Sequence, residues 1–180
     1  MVVPTFVDLQ GFIIGRNFIV KEVAILRDGS VLSHYFFGSP IPWHVLTKSE
    51  KSQASWLIGH HHGLQWEDGN VPYSMATRLI TKAVMGSTED EDGAFPIVYV
   101  KGREKREWLT DILNDDARNS INIETLDADY EDIVSLNKLD VTNTIRCEKH
   151  LKNCALQNVF KIFNWWSNHH HNDSPKYYLE

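Results

Sequence analysis

The sequence has few of the residues that hold small secreted domains together, and it has no apolar run long enough to cross a membrane. Its 180 residues include only two cysteines, six prolines and ten glycines. This composition excludes a disulfide-rich scaffold and a collagen-like fibre. The chain start lacks the basic segment and long apolar core of a signal peptide. We therefore expect a cytoplasmic or nuclear protein that is not secreted and has no membrane partner.

Basic side chains are also fewer than acidic ones. The chain carries 24 acidic and 18 basic side chains, for a formal net charge of −6. A protein that coats nucleic acid through bulk charge is therefore excluded, although a local basic patch is not. Hydrophobic residues make up 42% of the chain, which is enough for one globular core. We predict a single domain over residues 1–168 and a polar tail over 169–180.

The hydrophobic pattern predicts an α/β fold. Three strands at 5–12, 18–27 and 30–37 come first and form an antiparallel meander, with Asp28-Gly29 as a hairpin turn. The elements expected after them are helices at 47–57 and 73–85, a solvated acidic loop at 86–93, a buried strand at 95–100, a helix at 104–113, a strand at 120–123 and a last helix at 150–166. This order is similar to the RNase H-like exonuclease architecture, a mixed sheet flanked by helices.

Both cysteines fall within eight residues, in the motif Cys147-Glu-Lys-His150-Leu-Lys-Asn-Cys154. Thiolate and imidazole are preferred zinc ligands. One continuous helix would separate Cys147 from Cys154 by about 10 Å along its axis, too far for a shared metal or a disulfide. A metal site therefore requires Cys147 to fold back from a loop, with His150 and Cys154 one helical turn apart. Alternatively, Cys154 is an ordinary buried residue and Cys147 an incidental thiol.

A fourth ligand is missing from this motif, and Glu22 is the candidate for it. Glu22 interrupts an otherwise apolar strand, so a partner is required if its carboxylate faces inward. A metal ion is one such partner. A lysine, or an outward orientation toward solvent, would serve equally well.

The segment from Glu22 to Pro42, taken together with the Cys147–Cys154 motif, resembles the Maelstrom domain, a nuclease-like domain of a piRNA-pathway factor. The resemblance extends over roughly residues 5–166. It implies a divergent RNase H-like fold of the DnaQ-like exonucleases, with zinc bound by Glu22, Cys147, His150 and Cys154. It also implies binding of single-stranded RNA and an endoribonuclease activity that does not use the usual acidic residues.

The acidic pattern of the wider superfamily is incomplete in this chain. Asp8 matches the first acid, but Gln10 stands where the partner glutamate is expected, and Cys154 where a final aspartate is expected. The weak catalytic candidates are Asp8, Glu104 and His62. Four protein ligands would leave no open position on a zinc ion, so we expect the zinc to be structural. Mg²⁺-dependent exonuclease activity is not expected.

Basic side chains follow the buried strand at 95–100, at the sheet edge where ligands bind in open α/β folds. The candidate contacts for single-stranded RNA are Lys101, Arg103, Lys105 and Arg106, extended by Lys149, Lys152 and Lys161 along the last helix. Glu104 and Glu107 lie among them, and the alternative is a solvated, partly neutralised helix face.

Three further interpretations remain open at the level of sequence. The three histidines at 60–62, with Trp66, fit acid–base chemistry or base stacking, or else a helix end with one buried ring. The chain has six tryptophans, and an exposed subset would favour a catalytically dead scaffold that binds silencing-pathway proteins. A mobile-element or viral factor that acts on host silencing is compatible with the same residues.

Overall fold

A five-stranded mixed sheet forms the centre of the molecule, which we describe from a computed structural model covering residues 3–86 and 95–173. The spatial strand order is β3-β2-β1-β4-β5, with β1–β3 antiparallel and β4 and β5 parallel to β1. The strands are β1 Thr5–Ile14, β2 Asn17–Arg27, β3 Val31–Phe36, β4 Ile97–Val100 and β5 Asn122–Thr125. The predicted α/β class, with three antiparallel strands followed by parallel ones, is confirmed.

Helices cover both faces of this sheet. They are α1 Lys48–His60, α2 Ala76–Met85, α3 Arg103–Ile112, α4 Asp115–Arg118, α5 Leu126–Asp129 and α6 Ala155–Asp173. Alternation along β1 sends Val7 and Leu9 into the core shared with α2 and α3, whereas Phe6 packs with α6. Asp8 and Gln10 lie on the Phe6 side of the strand, so β1 presents two polar side chains toward α6. No helix in the described ranges is long and apolar enough to span a membrane.

A bulge between Gln10 and Gly11 sets the register of β1 against β2. A Cβ atom on Gly11 would lie 2.1 Å from the carbonyl oxygen of Ile19, so only glycine fits this close approach of the two strands. The register pairs Gln10 with Glu22 and Asp8 with Ala24. The two buried acids of the sheet, Asp8 and Glu22, therefore face the same helix.

The predicted start of the last helix at His150 is wrong. Helix α6 begins at Ala155, because Asn153 adopts a left-handed conformation (φ 51°) that reverses the chain before the helix. Leu151, which the apolar periodicity assigned to the core face, is 78% exposed. At its other end α6 continues to Asp173, beyond the expected domain boundary at 168.

The remaining element boundaries differ from the predictions by a few residues. Helix α1 extends to His60 and begins with a capping box, in which Thr47 and Glu50 bond each other's backbone N–H. The segment at 73–85 opens with a 3₁₀ turn before α2. The predicted acidic loop lies, after Gly86, outside the described residues.

Candidate metal centre

Four side chains from distant parts of the chain converge beneath the start of α6. Glu22 projects from β2, while Cys147, His150 and Cys154 come from the segment that leads into the helix. Each offers one ligand atom, and these atoms all lie within 4.8 Å of one another. Glu22, His150 and Cys154 are buried and Cys147 is half-buried. The predicted set of four is therefore brought together.

The polypeptide reaches this arrangement without a helix between the two cysteines. Residues 139–154 form neither helix nor strand, and the backbone N–H of Cys147 donates to Sγ of Cys154 at 3.3 Å. The amide of Asn153 donates to the carbonyl oxygen of His61 at 2.6 Å, which ties the segment to the end of α1. Cys147 thus folds back from a loop, as the spacing argument required. His150, however, lies in the same loop and not on a helical turn shared with Cys154.

Backbone contacts fix the orientation of the His150 ring. Its Nδ1 lies 2.7 Å from the carbonyl oxygen of His62, which requires Nδ1 to carry the proton and donate. The other nitrogen, Nε2, then faces Oε1 of Glu22 at 2.9 Å. A ligating histidine is commonly held in this way, with one nitrogen donating to a carbonyl and the other aimed at the metal. Burial lowers the pKa of His150, but Cys154 and Glu22 outweigh burial and leave the pKa raised.

The Glu22 carboxylate is held by donors on both of its oxygens. The backbone N–H of Ala155 donates to Oε1 at 2.9 Å, and Nε2 of His34 lies 2.7 Å from Oε2. Burial raises the pKa of Glu22, yet the hydrogen bonds from His150 and His34 outweigh it and hold the pKa below its usual range. The residue is therefore a carboxylate, the form that binds a metal ion.

Sequence reasoning missed His34. In the β2–β3 register Glu22 is opposite Phe36, which makes His34 the diagonal neighbour of Glu22 on the same face of the sheet. Only the register of the hairpin reveals this contact, since His34 is not part of any local motif.

The donor atoms are one carboxylate oxygen, one imidazole nitrogen and two sulfurs. A tetrahedral zinc ion with bonds of about 2.0–2.3 Å places its ligand atoms about 3.3–3.8 Å apart, within the spread found here. The Cys147 thiol, whose pKa burial raises, would have to lose its proton to such an ion. Chemically, the site can hold a metal ion with no coordination position left for a substrate.

The second buried acid, Asp8, contacts a lysine and two amide side chains, and none of these is a metal ligand. Lys105 of α3 forms an ion pair with Oδ1, and the amide of Asn158 in α6 donates to Oδ2 at 2.9 Å. The amide of Gln10 lies 3.4 Å from Oδ2. Burial raises the pKa of Asp8, and Lys105 only partly offsets that effect. The side chain of α6 that contacts Asp8 is thus Asn158.

The other catalytic candidates are not assembled around Asp8. Glu104 is exposed on α3. The ring of His62 is buried, with Nε2 donating to the carbonyl oxygen of Gly11 at 2.9 Å and Nδ1 accepting from the Leu64 N–H at 3.0 Å. Burial lowers the pKa of His62 to about 4 despite the hydrogen bond to Gly11. His62 is therefore a neutral ring with both nitrogens engaged, and it has none left for proton transfer.

Most of the predicted basic patch is paired within the protein. Lys101 forms an ion pair with Asp127, Lys105 with Asp8, and Arg103 with Glu107. The Nε of Arg106 donates to the carbonyl oxygen of Ile123 at 2.7 Å, and Lys161 donates to that of Leu136 at 3.1 Å. The neutralised helix face considered as the alternative is thus partly realised in α3.

Two lysines of the metal-binding segment face a different environment. The ammonium of Lys149 lies 4.6 Å from the ring centroid of Phe36, and Lys152 is exposed. Among the described residues, no ion pair with a carboxylate involves either one. Part of the unpaired positive charge of the predicted patch therefore lies in the segment that carries the metal ligands.

A cavity of about 470 Å³ lies between α3 and the end of α1, at the carboxyl end of β4. His61, Lys101, Lys105, Trp108 and Asn153 are among its lining residues. Its position matches the edge at which open α/β sheets bind ligands. Asn153 belongs to both this cavity and the segment that carries the metal ligands, so the two sites share a wall.

Comparisons with protein-family models, curated proteins and solved structures gave no significant match. The interpretation of the site therefore depends on its own geometry and chemistry.

Proposed function

We propose that the chain is a zinc-stabilised, catalytically degenerate RNase H-like domain that binds single-stranded RNA. The observation that carries the proposal is the closed group of Glu22, Cys147, His150 and Cys154, which links the centre of the sheet to the start of α6. Two thiolates and an imidazole favour zinc over Mg²⁺ or Ca²⁺, which prefer oxygen ligands. With all four positions filled by protein, the zinc stabilises the fold and activates no water.

The state of Asp8 supports the degenerate character of the domain. A Mg²⁺-dependent nuclease needs several carboxylates around its metal ions. Here Asp8 is paired with Lys105 and bonded to Asn158, and Glu104 lies exposed on α3. A lysine ammonium thus already neutralises the buried carboxylate. We expect no Mg²⁺-dependent cleavage, and the chain's place in small-RNA silencing is part of the same proposal.

RNA binding is supported by the cavity at the carboxyl end of β4 and by the charges on its rim. Arg103 is exposed and lines the cavity, although it also pairs with Glu107, and Lys152 is exposed and next in sequence to the lining residue Asn153. Trp108 supplies an aromatic wall, and bases stack on aromatic side chains in single-strand binders. A short, shallow contact with few phosphates is the mode that fits a chain of net charge −6.

Metal content tests the first part of the proposal. Untagged protein purified without added metal should contain one zinc per chain by elemental analysis. The variants Cys147→Ser and Cys154→Ser should lose the zinc and unfold at lower temperature. The exposed substitution Glu131→Gln is the control and should retain the metal. Zinc-free wild type with unchanged stability in all variants would contradict the proposal.

Charge reversal tests the RNA part. We expect Arg103→Glu with Lys152→Glu to weaken binding of a fluorescein-labelled single-stranded RNA about tenfold or more at low salt, and to lower the salt slope by about 1.4, as two lost phosphate contacts require. Arg78→Glu with Lys82→Glu, on exposed positions of α2, makes the same change of charge away from the cavity. Equal losses in both pairs would indicate an unspecific charge effect. No binding by wild type would overturn RNA as the ligand.

The protein-interaction scaffold is the second candidate, and one surface favours it. Trp56 is 59% exposed on α1 and contacts the His60 ring at 5.2 Å between centroids. A groove that also borders α1 is lined by Trp43, Ile58 and Trp66, but not by Trp56. If this surface binds a partner protein, Trp56→Ala should abolish that binding. Zinc content and RNA affinity should stay unchanged.

A further inference from the structure

The two sulfurs of the metal site are arranged for more than metal binding. Sγ of Cys147 and Sγ of Cys154 lie within 4.8 Å of each other. A disulfide requires them to approach to about 2.05 Å, a closure of less than about 3 Å. The spacing in sequence had excluded a disulfide on the premise of a continuous helix, and the structure removes that premise.

The backbone between the cysteines can accommodate this closure. Residues 139–154 contribute to no helix or strand, so no ladder of hydrogen bonds has to break when Cys147 moves. Cys154 is the fixed partner, because its carbonyl oxygen accepts the N–H of Asn158 in the first turn of α6 at 2.9 Å. Cys147, half-buried in the loop, is the partner that moves.

The two thiols differ in solvent exposure, which determines which of them is oxidised first. Cys154 is 1% exposed, whereas Cys147 is half-buried and reachable from solvent. An oxidant therefore meets Cys147 first. The buried Cys154 lies next to it and is placed to resolve the oxidised sulfur, which is the arrangement of a redox-sensitive cysteine pair.

We propose that Cys147 and Cys154 form a reversible disulfide when the protein meets a peroxide, and that zinc leaves as the bond forms. This inference depends on the zinc site proposed above. The Cys147 thiolate attacks the peroxide O–O bond, takes one oxygen as sulfenic acid and releases hydroxide. The Cys154 thiolate then attacks that sulfur, forms the S–S bond and expels the oxygen as hydroxide. Two thiolates lose two electrons in total, and one peroxide is reduced.

The consequence for the metal is direct. Both sulfurs leave the coordination sphere, and Glu22 and His150 alone are a weak pair of ligands for zinc. The oxidised domain should remain folded, because α6 packs on the sheet through buried apolar residues such as Ala155, Val159 and Ile162. The loop that carries Cys147 also carries Asn153, a lining residue of the cavity, so oxidation should alter one wall of the proposed RNA site.

The test uses the full chain loaded with one equivalent of zinc and titrated with hydrogen peroxide. Released zinc is followed with a chromogenic chelator, and free thiols are blocked before intact-mass and peptide analysis. We expect loss of two hydrogen atoms from the mass, a peptide cross-linked between Cys147 and Cys154, and release of zinc in equal amount. A thiol reductant with added zinc should restore the starting state.

The single-cysteine variants sharpen the assignment of roles. Cys154→Ser should give a sulfenic acid on Cys147 that dimedone traps, formed more slowly than the wild-type cross-link because burial raises the pKa of the zinc-free Cys147 thiol. Cys147→Ser should give at most about a tenth as much adduct at the same peroxide dose, because Cys154 is buried. The wild-type cross-link stands as evidence even if either variant folds poorly.

The outcomes separate this inference from the zinc proposal. Zinc-bearing protein that yields only sulfinic or sulfonic acid, or only disulfides between chains, overturns the inference and leaves the zinc site in place. Protein that purifies without zinc contradicts the zinc proposal. In that sample, a Cys147–Cys154 cross-link after peroxide treatment would support the disulfide, and its absence would overturn it.

Discussion

Two buried carboxylates lie on neighbouring strands beneath the first turns of α6, and they have opposite surroundings. Glu22 contacts His150, His34 and the N–H of Ala155, with Cys147 and Cys154 near by. Asp8 contacts Lys105, Asn158 and Gln10. Both acids are fully buried, and both need a positive partner. The first has donors that fit a metal ion, whereas the second already has an ammonium group.

The difference shows in the direction of the two pKa shifts. Hydrogen bonds from His150 and His34 overcome burial and lower the pKa of Glu22. Burial dominates at Asp8 and raises its pKa despite Lys105. A buried acid is therefore not by itself a metal site, and the neighbours of each acid decide its chemistry.

Neutralising each acid should separate the two sites. Glu22→Gln should abolish zinc binding and lower the free energy of unfolding by about 4 kcal/mol when free zinc is near 1,000 times the dissociation constant. Asp8→Asn should keep its zinc. Urea unfolding with and without a chelator is the measurement, since the chelator should destabilise wild type and Asp8→Asn but leave Glu22→Gln unaffected. Retention of zinc by Glu22→Gln would remove the distinction between the sites.

Removing either partner of the Asp8–Lys105 pair should cost stability without affecting metal. Lys105→Met leaves the buried carboxylate of Asp8 unpaired, at a cost of about 3 kcal/mol, whereas Asp8→Asn leaves the partly exposed ammonium group of Lys105 unpaired, at a smaller cost. The double variant should cost less than the sum of the two, by about 1–3 kcal/mol. Urea denaturation of the four proteins in excess zinc completes the cycle. Additive costs would mean that Lys105 does not neutralise Asp8.

The metal ligands were predictable because their residue types and spacing are visible in the chain. Cys147, His150 and Cys154 form one local motif, and Glu22 is an acid inside an apolar strand. The strands, α1 and α3 were likewise found from alternation, turns and caps to within a few residues. Residue type within a short motif predicts the ligands, and hydrophobic periodicity over a few residues predicts the helices and strands.

The contacts that distinguish the two acids were not predictable in the same way. Asp8 and Lys105 are 97 positions apart and were assigned to different roles, one catalytic and one RNA-binding. Their pairing depends on how α3 packs against β1. His34 depends on hairpin register, and Asn158 on the phase of α6. The predicted core face of α6 is buried at Ala155, Val159 and Ile162, but the helix start was placed too early, because apolar period alone does not detect the reversal of the chain at Asn153.

Acid should lower the free energy of unfolding through His62, whose buried ring bonds the backbone of Gly11 and Leu64. Burial lowers the pKa of His62 from 6.5 to about 4, so its contribution is complete above pH 6.5 and is lost as the pH falls toward 4. Between pH 7 and pH 5 wild type should lose about 2 kcal/mol of unfolding free energy from this group. His62→Gln keeps all four zinc ligands, so its difference from wild type, measured by urea unfolding at both pH values, isolates that loss. A difference that does not change with pH would show that folding leaves the pKa of His62 unchanged.

His34 should have the smallest effect, because it contacts Glu22 from outside the ligand set. Its Nε2 lies 2.7 Å from Oε2 of Glu22, and its side chain is 19% exposed. Partners that orient a ligand typically change metal affinity by 10- to 100-fold. We expect His34→Ala to weaken zinc binding about tenfold in competition with a chromogenic chelator, at a cost near 1 kcal/mol in stability. His34→Gln, which keeps a donor near Glu22, should recover part of the affinity. His44→Ala, on an exposed turn, is the matched control. A loss as complete as that of Glu22→Gln would make His34 a ligand in its own right, and the site would then contain five protein groups.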